Sequence, residues 1–473
     1  MLQKNEYLNK RRAHWDSIYK ERDSEAGLGK SYRWHLAKIY RYLISQGSSV
    51  LEIGCGRGDL LSAVAPEQGV GIDFSPVAVE QATVRHPGLE FVCCEATKYQ
   101  PQQDFDVIIL SDLLNDIWDV QELFSLVCAW CSPHTRVIIN SYSRVWQPPI
   151  SLGRALGWAT PTLPQNWLTR NDVLNLMYLE GIDPVSTREE ILWPLNTPVI
   201  QSVCNRYLAR IWPFNIFALS YFIVGRVPQP EVKPDSTVSV VVAARNEEGN
   251  IREIFDSVPE IGGGTELVFV EGNSKDNTYE VIQQEISARN SDNVKLFKQD
   301  GTGKGNAVRK GFANATGDVL MILDADLTVP PEDLSRFFKV LIEGKAEYVN
   351  GVRLVYPMDD QAMRFFNFLG NKFFSLAFSW LLGRQIKDTL CGTKVMTRRN
   401  YEAIAANRSY FGDFDPFGDF DLIFGAAKLN LKFVDLPVRY RQRIYGDTNI
   451  SRWRHGWLLL KMAAFAMHRV KFI

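Results

Sequence analysis

Asp324 and Asp326 stand two residues apart at the end of an apolar run, VLMILDADLTVPPEDL (319–334), and Pro330 and Pro331 follow where a new helix can start. Carboxylates at the C-terminal end of a buried strand sit where open α/β sheets bind ligands. They are hard oxygen donors suited to Mg²⁺ or Mn²⁺, and such a cation neutralises a diphosphate leaving group as the bond to a sugar C1 breaks. The bland alternative is a solvated acidic turn. A second constellation lies near the other end, in VLEIGCGRGD (50–59), where a buried run leads straight into Gly54, Gly56 and Gly58. Glycines there let the backbone turn tightly and approach a ligand closely. Asp73 ends the next apolar run and can accept hydrogen bonds from ribose hydroxyls. A dinucleotide site asks for G-x-G-x-x-G. Asp59 occupies the sixth place and would crowd a pyrophosphate with like charge. S-adenosylmethionine has no phosphate and carries a sulfonium and an ammonium group, so acidic surroundings suit it.

The elements that position these residues alternate between strand and helix. After helical spacing over 10–46, strands are expected at 50–53, 70–73, 89–93, 106–111 and 136–141, with helices at 60–65 and 76–85 and a closing strand at 218–226. The stretch 227–237, VPQPEVKPDST, has three prolines and no periodicity, and is the best linker in the chain. Alternation then restarts, with strands at 238–244, 266–271, 294–298 and 318–323 and helices at 250–257, 278–288 and 305–313. Strands separated by helices imply parallel sheets covered on both faces. The expected organisation is an α/β chain of two domains, 1–227 and 237–473, joined by a linker at 228–236. A chain of 473 residues is too long for one core.

The first constellation resembles the class I S-adenosylmethionine-dependent methyltransferases over about 32–227. The carriers are Glu52, the glycines 54–58, Asp73, Glu95-Ala96-Thr97 and Ser111-Asp112. The resemblance implies a Rossmann-like sheet and S-adenosylmethionine held by Glu52, Gly54, Gly56, Gly58 and Asp73, with Glu95 and Ala96 at the adenine. It does not name the methyl acceptor. Asp112, Asp116 and His35 are candidate bases, each equally readable as structural, and 142–216 is expected to cover the acceptor.

The second half resembles glycosyltransferase family 2, of the GT-A fold, and most of all its dolichyl-phosphate-mannose synthase branch, over about 237–449. The carriers are Ala244-Arg245-Asn246-Glu247, Glu271, the segment 303–307 with Lys304, the Asp324/Asp326 pair, the segment 388–392, and Gly418-Asp419-Phe420-Asp421. The resemblance implies inverting, metal-dependent transfer from a nucleoside-diphospho sugar, with the donor along Ala244, Arg245, Asn246, Glu247, Glu271, Lys304 and Asp324. The family usually has two acids where this chain has Glu271-Gly272, so the nucleotide stays open.

The segment 441–450, RQRIYGDTNI, resembles the acceptor loop of the polyprenyl-phosphate branch and implies acceptor contacts from Arg441, Arg443 and Thr448. Paired guanidiniums suit a phosphate, and a lipid phosphate needs little help from a base. A sugar hydroxyl would need one, and Asp419 or Asp421 would serve. Apolar groups alternate with basic ones over 457–473, and with 365–382 these stretches suit either an anionic membrane surface or packing into the core or a homodimer interface. Net charge is −1, so no global field points to nucleic acid. The N-terminus has no apolar leader, and seven scattered cysteines fit a reducing compartment. Cys128 and Cys131 read as helix cysteines rather than a zinc pair. The expectation is a cytoplasmic, bifunctional transferase, peripheral at the membrane face. It methylates an unidentified acceptor and glycosylates a polyprenyl phosphate. A glycan hydroxyl acceptor, or one domain acting as a ligand-binding regulator, are the alternatives.

Overall fold

A computed structural model describes residues 2–21, 29–353, 355–356, 365–408, 418–443, 445–446 and 452–472. The chain forms two compact units, Met1–Pro228 and Gln229–Lys471.

The first unit is built on a seven-stranded sheet of β1 Ser49–Ile53, β2 Gln68–Asp73, β3 Glu90–Cys93, β4 Val107–Ser111, β5 Arg136–Tyr142, β6 Asp183–Glu190 and β7 Ser220–Arg226, in the order β3-β2-β1-β4-β5-β7-β6. The first five strands are parallel, whereas β7 runs antiparallel between β5 and β6. The all-parallel expectation is therefore corrected. Residues 142–216, read from sequence only as a cover, contain β6, and the strand that follows returns beside β5. Leu51, Ile53, Ile108, Leu110, Val137 and Ile139 are all buried in one cluster, as expected for strands covered by helices. The long N-terminal helical stretch divides into helices Leu2–Glu21 and Gly29–Leu43.

The second unit holds β8 Val238–Ala244, β9 Thr265–Glu271, β10 Val294–Lys298, β11 Val319–Asp324, β12 Tyr348–Val352, β13 Lys394–Thr397 and β14 Phe433–Pro437, in the order β10-β9-β8-β11-β13-β12-β14. β13 is antiparallel to both neighbours, so this sheet too is mixed. Its two faces feed separate cores. Val241, Leu320 and Ile322 join one cluster, and Val240, Val242, Met321 and Leu323 join the other. A period of two with apolar residues on both faces explains why these strands read as unbroken hydrophobic runs. No helix among the described residues is long and apolar enough to cross a membrane.

Candidate functional sites

In the first unit the ends of β1, β2, β3 and β4 meet at one edge. Gly54 N–H and Cys55 N–H both donate to Ile72 O, at 2.8 and 3.0 Å, which ties the glycine loop to β2. Gly54 and Gly58 have φ of 75° and 73°. A Cβ on Gly54 would stand 2.7 Å from Leu113, and one on Gly58 2.5 Å from the Phe91 ring. Both positions are closed to other residues by conformation and by space. Gly58 then caps the helix Asp59–Val64.

Asp73 accepts from Gly56 N–H and Ser75 N–H, each at 2.9 Å. Burial pushes its carboxyl up to about 6, and those two hydrogen bonds work against the rise. Glu52 is buried on β1, and burial holds its carboxyl well above the usual range. Its Oε2 has no hydrogen-bond partner. A buried polar atom left unmatched at the mouth of a glycine loop fits a polar ligand that brings its own donors. Glu95 lies beside Asp73 in space, since Cys94 N–H donates to Asp73 O at 3.0 Å. Its carboxylate meets Arg12 at 3.3 Å and Lys98 at 3.0 Å. Ala96 opens the short turn Ala96–Lys98.

Sequence reading missed the role of the Leu2–Glu21 helix, which lies across this edge. Tyr19 O accepts from Arg57 at 2.8 Å and Gln81 at 3.0 Å, and Tyr19 Oη would meet a Cβ on Gly56 at 2.8 Å. Ser75 donates to Asp16. Only the polar-aromatic character of HWDSIY offered a signal, and it has no specific spacing.

Of the three candidate bases, Asp116 is bound by Arg11 and by Trp15 Nε1 at 3.2 Å. His35 Nε2 lies 2.7 Å from Gln201 and 3.1 Å from Asn205, and burial pulls the ring down to about 4. Asp112 is different. It follows β4 at φ 50°, and its carboxylate accepts from Tyr32 Oη at 2.9 Å and from Asn140 Nδ2 at 2.7 Å. Tyr142 hydrogen-bonds it too, and burial pushes it up to about 7. Cys131 is buried and donates to Val127 O, and none of the seven cysteines forms a disulfide.

In the second unit the ends of β8, β9 and β11 carry the expected donor residues. After Ala244, Asn246 (φ 56°) donates its N–H to Ser274 Oγ at 3.0 Å and accepts from Lys275 N–H at 2.8 Å. Glu271 accepts from Ser274 N–H at 2.5 Å. A Cβ on Gly272 would stand 3.1 Å from Gln299 Oε1 and 3.3 Å from Arg245 Cβ. Where the resembled family places a second acid, the backbone here lies close against Arg245.

Asp324 pairs with Lys304. Burial pushes its carboxyl up, but Lys304, with Arg353 and Lys394 behind it, outweighs this and holds it below the usual range. Asp326 pairs with Arg443 at 2.8 Å and accepts from Thr328 Oγ1 at 2.8 Å. Arg443 also reaches Glu247 at 3.5 Å. Burial pushes Glu247 up to about 7 even so. A Cβ on Gly392 would stand 2.2 Å from both Asp324 Oδ2 and Lys304 Nζ, so the 388–392 segment presses its backbone onto that pair. Asp388 anchors the segment. It is fully buried, takes two hydrogen bonds from Arg353 at 2.8 and 2.9 Å, and accepts from Leu390 N–H and Cys391 N–H. Arg353 holds its carboxyl far below the usual range against the pull of burial.

Arg441 N–H donates to Thr328 O at 2.9 Å and its guanidinium pairs with Glu332 at 2.6 Å. Beside it, Arg336, Arg439 and Arg441 line a niche of about 240 Å³ with Tyr356, Glu332 and Asp333. Thr448 and the Asp419 side chain lie outside the described residues. Asp421, expected as an alternative base, is buried with Arg408 at 2.7 Å and Arg309 at 3.9 Å. The carboxylate expected as an alternative base therefore stands beside two guanidiniums.

Comparison with known proteins adds two family matches. Residues 44–172 match the description Methyltransferase domain, and residues 239–404 match Glycosyl transferase family 2. Among solved structures, the chain is similar to glucosyl-3-phosphoglycerate synthase from Mycobacterium tuberculosis, in complex with Mn²⁺, uridine diphosphate and glucosyl-3-phosphoglycerate. That match has 20% identity and a TM-score of 0.37, over 50% of this chain and 81% of that one. It is also similar to an N-methyltransferase from Bradyrhizobium japonicum in complex with S-adenosyl-L-homocysteine, at 15% identity and a TM-score of 0.31, over 47% of this chain and 97% of the other. A third is magnesium protoporphyrin IX methyltransferase from Synechocystis, at 14% identity and a TM-score of 0.33, over 48% and 98%.

Proposed function

We propose that this bifunctional transferase, which carries a methyltransferase domain and a glycosyltransferase family 2 domain, moves a sugar from a nucleoside-diphospho donor to a polyprenyl phosphate and methylates a glycan or glycolipid. The observation that carries the sugar acceptor is the basic niche of Arg336, Arg439 and Arg441. Thr328 ties it to the Asp324/Asp326 pair, accepting from Arg441 N–H and donating to Asp326. Three guanidiniums stand there, Arg336 paired with Asp333 and Arg441 with Glu332, and an anionic acceptor could take over such partners. A phosphate is already a nucleophile, so no base is required of the protein.

The donor lies along Ala244, Arg245, Asn246, Glu247 and Glu271, with Lys304 at its diphosphate. Asp324 and Asp326 have the donor chemistry for Mg²⁺ or Mn²⁺, and they stand paired with Lys304 and Arg443, which already mark the place as one where negative charge is balanced by cations. A bound cation there supplies charge neutralisation for the departing diphosphate. Lys304 and Arg443 add fixed positive charge that needs no reorganisation during transfer. In the glycan-hydroxyl alternative Asp421, one of its two candidate bases, would act beside Arg408.

An anionic lipid surface suits the helix Phe365–Leu382. Leu369, Phe373, Leu376 and Trp380 are exposed at steps of four, three and four residues, which is one helical stripe. Lys471 bonds Trp380 O at 2.8 Å, and Lys461 lies over the exposed Trp457. Aromatics flanked by lysines are the chemistry of an interfacial helix. In the methyltransferase domain, Glu52, Gly54, Gly56, Gly58 and Asp73 would hold S-adenosylmethionine, with Glu95 and Ala96 at the adenine. The ligand supplies an electrophilic methyl. The residues supply orientation, which for an in-line displacement is most of the catalysis.

The test offers Mn²⁺, a panel of labelled nucleotide sugars and polyprenyl phosphate, with label counted in the organic phase. Label from one donor, lost in Asp326→Ala, is expected. Bound nucleotide with no lipid label from any donor would move the acceptor to a glycan hydroxyl.

A further inference from the structure

The buried carboxylates of this molecule fall into two kinds. One kind is salt-bridged, as Glu190 is to Arg210, Asp388 to Arg353, Asp421 to Arg408 and the half-buried Asp116 to Arg11; the other, with Glu52 and Asp73 in the glycine-loop site, is not. Asp112 is of the second kind. Tyr32, Asn140 and Tyr142 bind it, all of them neutral donors, and among the described residues no cation pairs with it. The cluster is fixed from behind. Tyr40 Oη donates to Asn140 Oδ1 at 2.7 Å, which orients the amide so that its Nδ2 faces Asp112. Tyr32 Oη also lies 3.0 Å from Ser220 Oγ on β7. The other titratable groups around the cluster are Tyr40 and Tyr221, which face the carboxylate, and Arg154, whose positive charge faces Tyr142 while the direct partners of Asp112 stay neutral. Asp112 and Tyr142 keep partial access to solvent, whereas Tyr32, Tyr40 and Asn140 are buried. The cluster therefore opens on one side only.

Its place is set by the glycine loop. Leu113, the next residue, is the group a Cβ on Gly54 would strike. The positive φ of Asp112 turns the chain at the end of β4, and held backbone outliers of this kind gather at functional sites. Resting on the reading of this unit as a methyltransferase, we propose that Asp112 is the proton acceptor for methyl transfer, and that the methyl acceptor is therefore a protic nucleophile, a neutral hydroxyl or amine. The acceptor oxygen or nitrogen forms its bond to the methyl carbon as the carbon–sulfur bond breaks. The sulfur keeps that electron pair and becomes a neutral thioether, and the acceptor's proton passes to Asp112. Because the carboxylate is held by neutral donors, it takes the proton without breaking an ion pair. Burial, which places its titration near 7, matches a base to neutral pH.

The experiment uses the full chain with S-adenosylhomocysteine as probe. Aspartate carboxyls labelled with ¹³C are titrated by NMR, and the Asp112 signal is identified by its absence in Asp112→Asn, a change the left-handed backbone tolerates. A midpoint above about 6 is expected from the burial of this carboxyl, and a lower one overturns the proposal. In Tyr142→Phe, which loses a donor to the charged form, the midpoint moves up, and an unmoved midpoint overturns the assignment of that contact. Tritiated methyl transfer to a panel of polyols and amines then follows. Asp112→Asn is expected to lose about 100-fold or more in rate while binding the probe as the unsubstituted protein does, and an unchanged rate overturns the proposal. If no panel member accepts label, the titration decides without them. Failure of the unsubstituted protein to bind the probe would sink the methyltransferase reading itself, a result distinct from tight binding with an ordinary Asp112.

Discussion

Apart from Glu95, which pairs with Arg12 and Lys98, the site carboxylates of the two units are treated in opposite ways. In the first, Glu52, Asp73 and Asp112 are met by neutral donors or by none, and burial pushes all three up. In the second, Asp324, Asp326 and Asp388 are each met by lysine or arginine, and Asp324 and Asp388 are held down. The difference follows from what each edge must receive. A cationic ligand without phosphate is favoured by carboxylates with no internal cation. A diphosphate is favoured by fixed cations, and these bind the acids while the site waits. Glu247 crosses the pattern, since it stands beside Arg443 yet rises to about 7 because burial and Asp326 outweigh that partner.

The largest test of this contrast is Asp388→Ala, which leaves Arg353 buried without its carboxylate. Breaking a buried pair from one side costs about 3–5 kcal/mol, so the second unit should unfold at markedly lower denaturant while the first keeps its midpoint. Asp326→Ala comes next. It removes a carboxylate from the leaving-group end and takes one of its partners from Arg443, and glycosyl transfer is expected to fall by about 10²–10³, with methyl transfer unaffected.

Gly54→Ala attacks the first site by shape alone. A φ of 75° and a contact of 2.7 Å to Leu113 should together cost about 1–3 kcal/mol and abolish S-adenosylhomocysteine binding in calorimetry. If binding survived, the close approach of backbone to ligand would be disproved.

The pH dependence should run in opposite directions at Asp73 and Asp112 of the first unit and at Asp388 of the second. Asp73 and Asp112 have raised folded values near 6 and 7. Their stabilising contribution is full below the unfolded value near 3.9 and is lost as pH rises through 6 and 7. Asp388 is depressed, so its contribution is present above that unfolded value and is lost only as pH falls below it. Hydrogen exchange read around these residues should show the surroundings of Asp73 and Asp112 loosening from about pH 4 to 7 and those of Asp388 from about pH 4 downward. The smallest effect is at the surface. Leu376 is 72% exposed, and Leu376→Ser should weaken binding to anionic vesicles by about tenfold, near the 1.5 kcal/mol of one buried aliphatic side chain.

Much of the fold was legible because two strong signals coincide. Strand runs such as Val238–Ala244 and Val294–Lys298, and the helix Pro76–Arg85, lie where their apolar patterns and flanking breakers put them. Asp324 and Asp326 could be read because a wholly apolar strand ends on them. β6 escaped, since its DPVSTREE is polar and partly exposed, and pairing with β7 rather than its own pattern makes it a strand. The antiparallel β7 and β13 escaped for a related reason: direction is set by the connection and the neighbour, and neither is written in a strand's own residues.

By itself the sequence determined the glycine loop, the acids at the strand ends and the two-part plan, because these are local features with fixed chemistry. Only the tertiary structure decided which charges meet. Arg443 reaches Asp326 across 117 positions and Tyr32 reaches Asp112 across 80, so no spacing in the chain foretold either. Burial decided the rest, for a carboxyl's proton affinity depends on what surrounds it in space, and an aspartate is a cation's partner in one unit and lies among neutral donors in the other.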